Sequence, residues 1–348
     1  MDSDFGDFAV DYDIPDKISY SIELLEKFVS KDSEAVLIFY GGEPMLCIEE
    51  IKQIMDNVKA KQFNIQTNGL HLNRLEPEYV NNLTSIFVSI DGTEQLTDYY
   101  RGKGVYRKVI ENIKAARKNG FKGEIIARMT LMEQTSIYGN IKWLLNNPDH
   151  SFQSIHWQLD AGFWKNDFHK RQFQIWVNEN YNPQIRQLAE FWVNTMETQG
   201  KVLRLYPFLG VMQSLLLEEE SLLRCGSGWA NYSIQTDGHI IPCPAMNGMK
   251  DYYMGHIQDS DPLQLKQIYV EEPCISCRIL GECGGRCLYA NITQRWSNEA
   301  YSLVCETVKN LVESLKNSLP RVKKLIAEER ISLSDFDHLK YNSCEVIP

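Results

Sequence analysis

Between Ala35 and Asp160 the chain alternates short, nearly continuous apolar runs with stretches whose apolar residues recur every three or four positions. Continuous runs mark strands buried on both faces, and the longer period marks the helices that cover them. Five strands are read on this basis: Ala35–Tyr40, Phe63–Thr67, Ser85–Asp91, Glu124–Leu131 and Gln153–Asp160. Ile18, Ile22, Leu25 and Val29 share one helical face after Pro15, and Ile48, Ile51, Met55 and Val58 share another. The pattern predicts an α/β fold whose strands run parallel. From about Gly162 it changes to helices rich in Trp and Phe, with Leu188, Phe191, Trp192 and Thr195 on one face, for which core packing is reason enough. A last amphipathic helix is expected from about Ala300 to Glu328. Three parts are anticipated: 1–161, 162–222 and 223–348.

Composition narrows the partners. The 348 residues are 43% hydrophobic and 24% charged, as in ordinary globular proteins, which excludes a disordered or collagen-like chain. A formal net charge of −10 repels phosphate backbones, so no nucleic-acid partner is expected. No apolar run approaches the roughly 20 residues that span a bilayer, and the first residues are acidic rather than basic then apolar. The expectation is a cytoplasmic protein with no membrane partner. Nine cysteines in such a chain then point to metal or catalysis rather than to disulfides.

Seven of the nine lie between Cys225 and Cys305. Cys225 and Cys243 are followed by Cys274-x2-Cys277-x5-Cys283-x3-Cys287, and Cys305 follows at the start of the last helix. A C-x2-C pair lets two thiolates of one turn reach a single metal centre, and Gly281, Gly284 and Gly285 let the backbone close around it. Seven thiols suit two thiolate-bound centres, one with four ligands and one with three. A zinc ribbon would use four and leave three idle. Spacing alone favours iron–sulfur over zinc without deciding between them.

The ends of the strands carry a second group of motifs: Gly41-Gly42-Glu43-Pro44, Thr67-Asn68-Gly69 and Ser89-Ile90-Asp91-Gly92. Ligands of parallel α/β sheets bind at this end, although a glycine after a strand is often only a tight turn.

Together, C-x12-G-x4-C, C-x2-C-x5-C-x3-C and a lone Cys, in order after these loops, resemble the radical S-adenosylmethionine (SAM) enzymes with a SPASM domain that modify peptides. The likeness extends to Gly255-His256-Ile257, and within the family it is greatest to peptide-modifying proteins of methanogenic and related archaea. It implies an incomplete parallel (β/α) barrel of radical SAM type followed by a cysteine-rich SPASM domain. It implies that Gly41, Gly42, Glu43 and Pro44 hold the amino group of SAM, that Ser89 and Arg101 hold its carboxylate, and that Asn68 and Asp91 belong to the same site. It assigns Cys225, Cys243 and Cys287 to a first auxiliary [4Fe-4S] cluster, and Cys274, Cys277, Cys283 and Cys305 to a second. A peptide or small-protein substrate and an electron donor such as ferredoxin or flavodoxin are the implied partners.

One departure matters. The family holds a third [4Fe-4S] cluster, the one that binds SAM, by C-x3-C-x2-C before the glycine-rich loop, and here the first cysteine is Cys47, beyond it. Cys47 reads as an idle thiol. The family barrel has six strands against five read here, so a truncated chain, inactive without those cysteines, is the expectation. The alternatives are a non-catalytic iron–sulfur or zinc peptide-binding module and a formylglycine-forming sulfatase maturase. The maturases place a basic Asp after the cysteine equivalent to Cys243, where this chain has Pro244, which cannot take a proton. For the first cluster, Cys344 is the remaining cysteine that could serve as a fourth ligand; the expectation is that it does not, leaving an open iron site.

Overall fold

The computed structural model describes residues 8–162, 167–342 and 347–348. Six strands pair in parallel and in chain order: β1 (Val36–Phe39), β2 (Gln62–Thr67), β3 (Leu83–Ser89), β4 (Glu124–Leu131), β5 (Ser154–Leu159) and β6 (Arg204–Leu205). The first five coincide with the apolar runs. β6 is an addition: only Arg204 and Leu205 pair, with Ser154 and Ile155, and two residues straight after the helix Asn182–Gln199 leave no periodic signature. The sheet therefore continues past the region expected to be wholly helical. At the other side β1 pairs only with β2, and Val36 is 41% exposed, so the barrel is open along this edge among the described residues.

The first described residues turn away from that edge. Val10 bridges Met249, Asp11 N–H donates to Gly248 O at 2.7 Å, and Ser19 N–H donates to Thr236 O at 2.8 Å. Because the backbone of Ser19 is spent there, the first helix starts later than Pro15 suggests. It spans Ile22–Val29, with the Ser21 hydroxyl accepting from Leu24 N–H at 3.2 Å as its cap.

Alternation along the strands builds layers inside the sheet. At the amino-terminal end the Ser85 hydroxyl donates to Asn64 Oδ1 at 2.6 Å, and the Glu124 carboxylate accepts from Arg204 Nε and Tyr206 Oη, both at 2.9 Å, and from Ser154. Above them Ile38, Phe87, Ile126 and the Tyr206 ring form an apolar layer. The next inward positions are Ser89, Arg128 and His156, in direct register across β3, β4 and β5. A polar floor and an apolar middle layer thus leave the carboxyl-terminal end for a ligand.

Behind the sheet, Trp157, Trp192, Phe208 and Phe336 meet edge to face with centroids 5.4 to 5.9 Å apart, so the aromatic residues of the helical region do serve the core. The last helix, Asn298–Ala327, begins at the Ser297 cap, and its Leu303, Val308, Leu311, Leu315 and Val322 are buried in the same core as the strands. Cys305 is thus about two turns inside this helix rather than at its start.

A small antiparallel sheet, β7 (Ser233–Ile234), β8 (His239–Ile241) and β9 (Gly255–His256), opens the cysteine-rich part. No helix among the described residues is long and apolar enough to cross a membrane.

Candidate functional site

Two groups of side chains carry chemistry. The first lies at the carboxyl end of β1 to β4. Gly41 and Gly42 follow β1 and are exposed, and Pro44 opens the short 3-10 helix Pro44–Leu46. Glu43 ties this loop to the neighbouring one: its carboxylate accepts from the Thr67 hydroxyl at 2.6 Å, Asn68 N–H at 2.7 Å and Met45 N–H at 3.0 Å. Asn68 turns its own side chain back onto Leu70 N–H. Gly69 completes the turn at φ +76°, where a Cβ would come within 2.7 Å of Val88, so that only glycine fits.

At the end of β3, Ser89 is half-buried and Asp91 is 1% exposed. Asp91 holds Arg101 through Nε at 2.5 Å and Nη2 at 2.8 Å and also accepts from Thr130 N–H at 3.0 Å. The structure therefore brings Gly41 to Pro44 together with Asn68, and Arg101 together with Asp91. Cys47 stays apart, as the uncapped first residue before the helix Ile48–Asn57.

The second group is the thiols, which separate into two sets. Cys225 and Cys243 share a small core with Leu223, Met246, Met249 and Leu288, which places Cys287 beside them. Burial pushes the Cys243 thiol up to about 12, and neighbouring Cys287 and Cys225 add to the shift. Burial likewise raises Cys283 to about 11 and raises Cys274 and Cys305, and these three act on one another, with Cys277 acting on Cys274 and Cys305. Cys274, Cys277, Cys283 and Cys305 line one hollow, with Cys287 at its margin.

Among the described residues no three acidic, His or Cys side chains converge closely enough to hold a single ion. Thiols spread around a hollow suit a multi-iron cluster better than one tetrahedral zinc, so the donor set fits the group that the sequence implies.

The motif glycine Gly238 has a local cause. It turns β7 into β8 at φ +95°, and a Cβ there would meet His256 Nε2 at 2.6 Å, while that nitrogen lies 3.0 Å from Asp237 O. Three residues that the sequence did not single out face the second set: Arg286, Trp296 and Tyr301, the last with its hydroxyl 3.4 Å from Cys274 Sγ. Tyr341 packs edge to face on Trp229 at 4.8 Å and against Gly226, next to Cys225. Cys344 lies outside the described residues.

Residues 11–136 match the model of the radical SAM superfamily. The chain carries a radical SAM domain. The radical SAM cyclopropyl synthase TigE of Paramaledivibacter caminithermalis is 22% identical over 322 residues, 86% of this chain and 64% of TigE. An uncharacterized protein of Methanothermobacter thermautotrophicus is 29% identical over 108 residues, 29% of this chain and 41% of its own length. The chain thus spans less than two thirds of each.

Among solved structures, anSMEcpe with bound AdoMet superposes with a TM-score of 0.67 at 19% identity, covering 87% of this chain and 88% of that one. The same protein with AdoMet and the Cp18Cys peptide gives 0.65 at 19%, covering 91% and 92%. SuiB of Streptococcus suis gives 0.52 at 15%, covering 81% and 71%. These likenesses establish the fold of the radical SAM/SPASM type.

Proposed function

We propose that this chain holds SAM and two auxiliary clusters and belongs to a radical SAM enzyme that modifies a peptide or small protein. The observation that carries the reading is the sorting of the thiols. Cys287 is four residues from Cys283 yet acts with Cys225 on the buried Cys243 thiol, while Cys305 joins Cys274, Cys277 and Cys283 around a hollow at whose margin Cys287 also lies.

In this reading the exposed Gly41-Gly42 loop, braced by Glu43, Pro44 and Asn68, receives the amino end of SAM. Ser89 and Arg101, the latter held in place by Asp91, receive its carboxylate. The radical SAM cluster, where bound, supplies the electron that cleaves SAM to a carbon radical able to take a hydrogen atom. No C-x3-C-x2-C occurs in this chain to hold it. The two thiol sets would hold auxiliary [4Fe-4S] clusters, with a ferredoxin- or flavodoxin-like partner as the electron donor in a reducing cytoplasm. Peptide-bound anSMEcpe supports a peptide as substrate. Formylglycine formation is disfavoured, since Pro244 after Cys243 begins a 3-10 turn with no proton acceptor on its side chain.

The first set counts three thiols, one short of a fully thiolate-ligated cluster. The chain passes Cys225 at Tyr341, three residues before Cys344. Unchanged cluster signals in Cys344→Ala leave an iron open to an external donor, and loss of the first cluster's signal closes it.

Anaerobic reconstitution tests the reading as a whole. About eight irons per chain and SAM binding that Ser89→Ala and Arg101→Ala weaken are expected, whereas stoichiometric zinc or SAM binding indifferent to both variants would sink it.

A further inference from the structure

The hollow lined by the second thiol set contains a cation with no anion assigned to it. Arg286 projects into it beside Cys283 and Cys305, and its guanidinium lies 5.5 Å over the Trp296 ring. Its Nε is buried without a hydrogen-bond partner, and among the described residues it forms no ion pair. A buried donor left unmade costs about 1–3 kcal/mol, and more on a charged group. The backbone adds to the cost. Arg286 sits at φ +53°, between Gly285 and Cys287, in the left-handed region that a side chain seldom adopts. A chain with two glycines immediately before it has placed an arginine where a third glycine would fit without strain. Neither the unpaired donor nor the backbone strain is explained by packing alone, and both face the same cavity.

We propose that Arg286 is a positioning residue for the second auxiliary cluster, its guanidinium donating a hydrogen bond to a sulfur of that cluster and raising the cluster's reduction potential. The inference rests on the cluster reading above and names the residue that sets one of its properties. A four-thiolate iron–sulfur centre is an anion, and one added electron makes it more negative. A fixed, poorly hydrated cation in a low-dielectric wall stabilises the reduced form more than the oxidised one. Hydrogen bonds to the sulfurs act in the same direction. Lys309, the other cation at the hollow, is exposed and therefore screened, so the same substitution there provides the comparison.

Arg286→Gly removes the charge at a position whose backbone suits glycine, which protects the fold. Arg286→Lys keeps the charge but not the planar fork. In a mediator titration of the reconstituted full chain followed by electron paramagnetic resonance, Arg286→Gly should lower one of the two auxiliary midpoints by about 59 mV or more, a tenfold change in a one-electron equilibrium. The other midpoint stays in place, Arg286→Lys shifts less, and Lys309→Gln least. Two unmoved midpoints in Arg286→Gly at wild-type iron content would overturn the inference, as would an equal shift of both. Loss of four irons in Arg286→Gly would also overturn it, since the residue would then serve assembly rather than potential. A wild-type chain that takes up no iron defeats the cluster reading itself, a result separate from any of these.

Discussion

Asp91 grips Arg101 by two near-parallel hydrogen bonds, at 2.5 and 2.8 Å, from a position almost wholly removed from solvent. The pair joins the end of β3 to the last turn of the helix Glu94–Arg101, so the guanidinium is aimed before any ligand arrives. Removing one partner of such a buried pair leaves a charge unmatched and costs about 3–5 kcal/mol. Asp91→Ala should therefore lower stability on that scale and weaken SAM binding in calorimetry at least tenfold. Arg101→Lys, which cannot make the fork, should keep most stability and lose affinity. Wild-type SAM affinity in Asp91→Ala would separate Arg101 from the ligand.

The thiol sorting predicts an unequal pair of neighbours. Cys287→Ala should lose the same cluster signal as Cys243→Ala, and Cys283→Ala the same one as Cys277→Ala, each with about half the iron gone. Iron analysis with electron paramagnetic resonance on the four variants checks this. Identical spectra for Cys283→Ala and Cys287→Ala would assign both to one centre.

The hairpin that precedes Cys243 has an acid-sensitive brace. Burial raises the Asp237 carboxyl, but hydrogen bonds from the His239 ring at 2.8 Å and backbone at 3.0 Å, and from Gln235, outweigh it and hold the group below its ordinary value. Above pH 4 the folded and unfolded chains both carry the carboxylate, and the folded one gains from its donors. As pH falls below about 4 the unfolded chain binds the proton first, and that gain disappears as the folded carboxyl titrates. Urea unfolding should show Asp237→Asn roughly 1 kcal/mol less stable than wild type at pH 7, with the gap narrowing as the pH falls below about 4. A gap that does not narrow below that pH would mean the side chain acts by packing.

Tyr301 offers a neutral counterpart to Arg286. Its hydroxyl is 3.4 Å from Cys274 Sγ, and burial followed by that thiol raises its own pKa. Tyr301→Phe should lower the second cluster's midpoint by less than Arg286→Gly does, without loss of iron. A larger shift than that of the arginine would put the control of the centre in the hydroxyl.

Burial on both faces made β1 to β5 visible as apolar runs, and β4 begins and ends at the residues expected, Glu124 and Leu131. β6 escaped because two residues have no period, although Arg204 ends beside Glu124 in the barrel floor. The loops of the proposed SAM site are legible in the sequence because each stands directly after a strand, whereas Arg101 ends a helix. The assignment of Cys283 and Cys287 to different sets could not be read from a C-x3-C spacing. It depends on the two left-handed glycines, Gly284 and Gly285, and on Arg286 after them, which reverse the chain between the two thiols. The family resemblance implies that sorting where spacing leaves it open. Arg286 and Tyr301 had no signal at all, since nothing in a sequence distinguishes an arginine in a cavity from one in water.

The helix Asn298–Ala327 gives assembly a direction in time. Its first turns carry Cys305, and the rest lies in the core that the strands share, with Leu311 and Leu315 fully buried. The proposed second centre takes a thiol from this helix, so it stays incomplete until Asn298–Ala327 docks on the core that the strands share. Leu311→Ala, which opens a cavity costing about 2–5 kcal/mol in the core beneath the helix, should slow iron uptake by the second centre and leave the first centre's uptake at the wild-type rate. Timed iron loading during refolding would reveal that order, and equal rates at both centres would show that metal arrival and barrel closure are independent events.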